Sequence, residues 1–194
     1  MIAIVDYRAG NIASVKKALD RLGGESVITS DAAVIEQAER IVLPGVGHFA
    51  STRALDPLRL AIAGAIKRGT PFLGICVGLQ WMFSGSTEAP GISGFGLFAG
   101  EVSRFPASVK SPHVGWNQIS VRNGSRLLAG IPAGAFVYFT HSYRAPVSEV
   151  TVAECEYGGL FAAAVERENV FGVQFHPEKS GDIGLEILRN FLSC

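Results

Sequence analysis

The chain has 194 residues, 48% of them hydrophobic and 18% charged, with 17 basic and 17 acidic side chains. That size suits one domain, and the apolar share excludes a disordered chain. A formal net charge of zero argues against a nucleic-acid binder that relies on a basic footprint, and without a run of 18 apolar residues no membrane span is expected.

The first half predicts strands alternating with helices. Residues 2–5 read as a short buried strand, and 1–11 lack the basic leader, apolar stretch and small-residue cleavage site of a secretory signal. Asn11 is expected to cap a helix carrying Ile12, Val15, Leu19 and Leu22 at helical spacing, which Gly23-Gly24 ends. Residues 26–28 predict the next strand, and Asp31 caps a helix through about Ala38. A strand over 41–43 is stopped by Pro44 and two glycines. An amphipathic helix follows over 57–67, then a strand over 72–75 and a helix over 77–83 entered almost without a loop. Repeated βα units of this kind imply a parallel sheet with helices on both faces.

After Phe83 the pattern changes. Residues 84–96 are rich in Gly and Ser and read as a loop. Short strands then dominate, around Val102 and over 114–121, 136–143, 150–157, 161–165 and 170–175, with a hairpin turn at Arg167-Glu168-Asn169. Residues 183–192 predict a closing amphipathic helix. No linker, repeat or low-complexity stretch divides the chain. The expectation is a single α/β domain over 1–194, its central sheet mostly parallel and its later part adding antiparallel strands. Cys76, Cys155 and Cys194 are odd in number and far apart. They make neither a disulfide framework nor a zinc site, and the default compartment is a reducing cytoplasm.

The most informative segment is Pro71-Phe72-Leu73-Gly74-Ile75-Cys76-Val77-Gly78-Leu79-Gln80. A strand runs into Cys76 and a helix leaves it, with a glycine two residues to either side. This is the nucleophile-elbow pattern with Cys in place of Ser. The glycines let flanking backbones approach, and the helix N-terminus favours a thiolate. A structural Cys at a strand end would share the burial but needs no such glycines. One hundred residues later, Val170-Phe171-Gly172-Val173-Gln174-Phe175-His176-Pro177-Glu178 ends an apolar strand. Extended backbone sends residues two apart to one side, and Pro177 keeps His176 out of the helical region. Glu178 is thus expected to hold one ring nitrogen of His176 while the other faces the thiol, a nucleophile–base–orienter unit. A strand-end histidine and a helix-start carboxylate are the plainer readings of the two taken singly. A third segment, Leu43-Pro44-Gly45-Val46-Gly47-His48-Phe49, follows another parallel strand, where ligand-lining loops emerge. Its glycines leave peptide N–H groups open, and one of them with the N–H of Val77 suits an oxyanion hole. His48 reads as a loop surface residue.

Together these segments resemble the glutaminase domains of class I, triad-type glutamine amidotransferases, over nearly the whole chain. Gly74 to Gln80 is similar to the family's nucleophile segment and Phe175 to Glu178 to its base segment. Asp6-Tyr7-Arg8-Ala9-Gly10-Asn11, Pro44-Gly45-Val46-Gly47, His113-Val114-Gly115-Trp116-Asn117 and Tyr138-Phe139-Thr140-His141-Ser142-Tyr143 are similar to one branch, the glutaminase subunits of imidazole glycerol phosphate synthase. The resemblance implies a flavodoxin-like fold and hydrolysis of glutamine to glutamate and ammonia, with no metal or organic cofactor. It implies Cys76 as nucleophile, His176 as general acid and base, and Glu178 as orienting carboxylate. Gly47 and Val77 match the oxyanion donors. Gln80 and Glu88 match positions that contact glutamine, Gly45 lies in the same loop, and the backbone at Ser142 and Tyr143 matches the segment that holds its α-carboxylate. In that branch ammonia passes to a (β/α)8-barrel cyclase, with Asn11, Trp116, Tyr138 and Lys179 matching positions near the interface. Strand packing for the two aromatics and a solvated charge for Lys179 are the plainer alternatives. Arg8 departs from the glycine usual after Asp-Tyr, which puts the shape of that loop in question. Three rivals stay open: a glutaminase subunit for anthranilate or vitamin B6 synthesis, a cysteine peptidase, and a regulatory subunit without activity.

Overall fold

The computed structural model describes residues 1–122 and 124–194. In the first half, β1 (Ile2–Val5), α1 (Ile12–Arg21), β2 (Ser26–Thr29), α2 (Ala32–Gln37) and β3 (Arg40–Gly45) alternate as the sequence predicts. A 3-10 run over Phe49–Leu58 then leads into α3 (Arg59–Lys67), β4 (Phe72–Cys76) and α4 (Val77–Trp81). The second half holds β5 (Gly85–Ser86), β6 (Glu101–Arg104), β7 (His113–Gln118), β8 (Ser120–Val121), β9 (Phe136–His141), β10 (Tyr143–Arg144), β11 (Thr151–Glu156), β12 (Leu160–Arg167) and β13 (Val170–Val173), closed by α5 (Gly181–Ser193).

Eight strands form the central sheet in the order β2-β1-β3-β4-β13-β12-β11-β8. The first five run parallel, and β12, β11 and β8 add antiparallel pairing at one side. Because successive strand residues face opposite ways, β1 feeds two cores. Ile2 and Ile4 pack with Val15 and Leu19 of α1 and with Ile187, Leu188 and Phe191 of α5. Ala3 and Val5 pack on the other face with Ile35 of α2, Ile62 of α3 and Leu79 of α4. Two smaller sheets, β10-β6-β5 and the β7-β9 ribbon, lie outside the main sheet's hydrogen bonding.

Several boundaries differ from the sequence expectation, each for a local reason. Pro44 does not stop β3. It pairs in register with Ile75, while the β1 ladder on the other side ends at Val42, so the proline sits where β3 has one neighbour only. The helix expected from Pro57 begins at Arg59, because residues 49–58 are wound as a 3-10 run. The helix after Cys76 ends at Trp81 rather than Phe83. The loop over 84–96 contributes the short β5, which pairs with β6. The expected strand over 114–121 is two strands that break at Ile119, and that over 136–143 breaks at Ser142. Arg167 pairs with Val170 across a two-residue turn whose Glu168 has φ 54°, the left-handed backbone such hairpins need. Asn11 stands at the N-cap of α1 without capping it through its side chain.

Helix α4 rests directly on the sheet. A Cβ on Gly78 would lie 2.0 Å from the carbonyl oxygen of Leu43, and one on Gly74 2.6 Å from the Gly78 carbonyl. Both obstacles are backbone and cannot swing aside. Gly78→Ala should therefore cost about 3 kcal/mol or more. Chemical denaturation checks this, and an alanine variant as stable as the wild type would show that the helix has room to lift.

Candidate active site

β4 ends at Cys76 and α4 starts at Val77, so the chain turns through a single residue. Cys76 takes the turn at φ 54° and ψ −108°, backbone that costs a non-glycine residue about 1–2 kcal/mol. The flanking glycines, pressed against β3 and each other, leave it no other path. Val77 is the first helical residue, so its N–H has no carbonyl behind it within the helix. Parallel register sets Gly45 opposite Cys76. A Cβ at Gly45 would lie 2.6 Å from the Tyr7 hydroxyl and 2.8 Å from the Gly78 nitrogen. Tyr7 is buried there, and burial first, then the charge of Cys76, holds its phenol above the ordinary range. The turn leaves β3 beside the thiol through Gly47, which is exposed and has φ 92°. Phe49 anchors the far side of that turn by donating its N–H to Glu88 Oε2 at 2.7 Å. His48 is exposed, as the sequence reading expects.

His176 lies three residues beyond β13, its backbone extended at φ −102°, ψ 97°. Glu178 does not continue that extension: Pro177–Lys179 is a 3-10 turn. The extended backbone that the sequence predicts through both residues is not what joins them. The turn, rather than strand alternation, brings the carboxylate back to the ring. His176 Nδ1 lies 2.8 Å from Glu178 Oε1, with both side chains buried. A carboxylate accepts, so Nδ1 carries the proton and Nε2 is turned to other work. Nε2 is buried without a hydrogen-bond partner among the described residues, and Cys76 is near enough to the ring to raise its pKa. Burial alone would depress the His176 pKa. The hydrogen bonds and charges of Cys76 and Glu178 outweigh it and raise the ring to about 10. The imidazole is thus disposed to hold a proton beside the sulfur.

Two contacts have no counterpart in the sequence expectation, one from Asn11, expected only as a cap and near the interface, and one from Gln174. Asn11 donates its side-chain amide to Glu178 Oε1 at 3.3 Å, which explains why it does not cap α1. Gln174 is fully buried. It donates to Cys76 Sγ at 3.6 Å, while Gln80 Nε2 donates both to Gln174 Oε1 at 3.1 Å and to the Tyr143 carbonyl at 2.9 Å. A lone polar residue inside the apolar run before His176 was the available signal. Gln80 is thereby joined to Tyr143, across the site. Glu178→Gln should lower kcat for the reaction at Cys76 by more than Asn11→Ala does, because the amide can present the wrong tautomer partner to His176. Loss of the Asn11 hydrogen bond should cost about tenfold. Steady-state kinetics on the two variants checks the order, and a more damaging Asn11→Ala would contradict it.

Trp116, Tyr138 and Lys179 form one outer cluster. Trp116 and Tyr138 pair across the β7-β9 ribbon with rings edge to face at 6.1 Å. The Lys179 ammonium lies 5.8 Å from the Tyr138 ring. Val114 and Phe136 are also exposed on the ribbon. Arg8 has φ 65°, so the departure from glycine falls where glycine would be unstrained. Its N–H is held by Asp6 Oδ1 at 2.8 Å. Among the described residues, no group of three or more His, Cys, Asp or Glu side chains is placed to hold a metal ion, and no helix is long and apolar enough to cross a membrane.

The sequence pattern described as "Glutamine amidotransferase class-I" matches residues 3–194. The chain belongs to the class-I glutamine amidotransferase family. Among proteins of this family, it is 52% identical over 198 residues to the imidazole glycerol phosphate synthase subunit HisH of Thermococcus kodakarensis, covering 98% of both chains. It is 48% identical over 194 residues to the subunit of the same name from Methanothermobacter thermautotrophicus, covering 99% of this chain and 98% of the relative. Two solved structures share the amidotransferase fold. One, described as a glutamine amidotransferase, superposes with a TM-score of 0.78 at 18% identity over 100% of this chain and 98% of its own. The other, PurLQS from Thermotoga maritima, gives 0.77 at 23% identity over 99% and 97%.

Proposed function

We propose that the chain is the glutaminase subunit of an imidazole glycerol phosphate synthase, hydrolysing glutamine to glutamate and ammonia in histidine biosynthesis. The observation that carries this reading is the buried Glu178–His176 pair, its ring influenced by Cys76 at a one-residue elbow, in a chain about half identical to subunits of that name over nearly full length.

Cys76 sulfur attacks the side-chain carboxamide carbon of glutamine. The oxygen that gains charge is received by the N–H of Val77 at the helix start and by a peptide N–H of the Gly45 to Gly47 turn, which supplies Gly47 as second donor. His176 gives its Nε2 proton to the departing nitrogen, since an amide nitrogen leaves poorly as an anion. Ammonia departs and a γ-glutamyl thioester remains on Cys76. His176, now neutral at Nε2, takes a proton from water as it attacks the thioester, and glutamate is released. Glu178, steadied by Asn11, keeps Nδ1 protonated throughout. Glu88 and Gln80 border the glutamine pocket, and the Ser142 and Tyr143 backbone takes the α-carboxylate.

The ammonia is used by a second subunit, a (β/α)8-barrel cyclase that makes imidazole glycerol phosphate and AICAR. The exposed Trp116, the neighbouring Tyr138 and Lys179, and Asn11 are the residues assigned to the docking face of this heterodimer. The chain acts in the cytoplasm. Incubation with glutamine, and separately with peptide substrates, tests the reading. Glutamate should form from glutamine, and peptide cleavage without it would favour a cysteine peptidase.

A further inference from the structure

His113 and His141 take no part in the chemistry above, yet both are buried, at 4% and 6% exposure. They face each other across the β7-β9 ribbon, in register, with His113 Nδ1 3.2 Å from His141 Nε2. Neither ring is free to turn. His113 is stacked between Phe139 at 4.8 Å and Tyr157 at 4.0 Å, and His141 is packed against Phe105 and Phe161.

The direction of each hydrogen bond follows from its ends. At the inner end, His141 Nδ1 lies 2.8 Å from the Tyr143 carbonyl. A carbonyl only accepts, so Nδ1 carries the proton and Nε2 of a neutral ring accepts. At the outer end, Asn117 Oδ1 accepts the Gln118 N–H at 2.8 Å, and its Nδ2 donates to the Glu156 carbonyl at 3.2 Å. That fixes the amide, so the contact of Nδ2 with His113 Nε2 at 3.3 Å is a donation to the ring. His113 must then carry its proton on Nδ1 and donate it to His141. Two independent ends give the same direction. The environment agrees: burial lowers the pKa of His113 to about 4 and, with smaller contributions from neighbouring charges, that of His141 to about 3. Both rings are neutral near pH 7, and a further proton would set two N–H groups against each other.

The relay ends on one residue. The peptide after Tyr143 is fixed by His141 and by Gln80, both donating to its carbonyl. The peptide before it is fixed by the Phe105 N–H, which donates to the Ser142 carbonyl at 3.1 Å. Tyr143 is thus held from both sides, while Gln80 leads on through Gln174 to Cys76.

We propose that His113 and His141 are positioning residues for substrate binding: by a one-way hydrogen-bond relay they hold the Ser142 and Tyr143 backbone in the shape that receives the α-carboxylate of glutamine. This rests on the reading above that the segment takes that carboxylate. The relay works on the amino-acid end of the substrate and not on the carboxamide, so its loss should weaken affinity more than turnover.

Two measurements test it. Ring-nitrogen NMR shifts of the full chain at pH 7 should show both histidines neutral with the proton on Nδ1. A proton on Nε2 of either ring, or a cationic ring, overturns the relay without any variant having to fold. Glutamine kinetics with the second subunit present then test its purpose. His141→Leu should raise KM about tenfold, with kcat changed less than about threefold, and His141→Asn, which can still donate to the Tyr143 carbonyl, should recover most of the affinity. An unchanged KM in the leucine variant, a loss confined to kcat, or an asparagine variant no better than leucine overturns the proposal. A wild-type chain that makes no glutamate alone or with the second subunit removes the glutaminase reading and this proposal together. An active wild type beside variants of unchanged KM removes this proposal alone.

Discussion

Cys76→Ala is expected to lower glutamate formation by about 10⁴-fold or more, because the nucleophile, base and orienter act as one unit. The fold should survive, since the strained turn at φ 54° is set by the glycines around it and alanine is no worse there than cysteine. The other two cysteines give the control. Burial, with the charge of Glu156 behind it, pushes the Cys155 thiol up to about 12. Cys194 is likewise raised, by burial first, and donates its thiol to the Asn190 carbonyl at 3.2 Å. Neither offers a thiolate, so Cys155→Ala and Cys194→Ala should keep most activity. Assay of glutamate release by the three purified variants, with circular dichroism to confirm folding, decides the matter. Near-wild-type turnover by Cys76→Ala would end the mechanism.

The second large effect is expected from the partner. Glutamine hydrolysed without an acceptor for its ammonia is wasted, so turnover should depend on the second subunit. The turn at Gly47 has the form such control needs. It is tied on one side by the β3–β4 register at Gly45 and on the other by the bond from Phe49 to Glu88. Gly47 itself is exposed, and among the described residues nothing lies within 4 Å of where its Cβ would be. On the proposed role of Gly47, a peptide rotation there would add or withdraw one oxyanion donor, worth about 10²–10³ in rate. The chain alone should therefore hydrolyse glutamine slowly, and the second subunit with its own substrate bound should raise kcat by about that factor. A ligand on the partner can do this only by binding the active arrangement better than the inactive one. Lys179→Ala should weaken the coupling and leave the triad intact. A full rate from the isolated chain, unchanged by the partner and its ligand, would contradict this account.

The parallel half of the fold was legible because its signals are local. Apolar runs, caps and glycine stops placed β1, α1, β2 and α2 within a residue or two of where they lie. The elbow was legible for the same reason, since Gly74 and Gly78 announce a close approach that the Cβ distances bear out. What failed was long-range. No local pattern says that the β1 ladder stops at Val42, which lets Pro44 stay in β3. The local use of a residue such as Asn11 is a cap, whereas its partner Glu178 is 167 positions away. The second half divided into three sheets because short strands choose partners by tertiary packing. The pairing of His113 with His141 depends on a register that neither strand shows alone.

The central claim, that Cys76 carries the acyl group of glutamine, can be met directly. Acid-quenched wild-type chain mixed with glutamine and its partner subunit should show, by mass spectrometry, one γ-glutamyl group attached to the peptide that contains Cys76. The same adduct should be absent from Cys76→Ala and should accumulate when hydrolysis is slowed. Glutamate formed at full rate with no adduct on Cys76, or with the adduct on Cys155 or Cys194, would contradict the account.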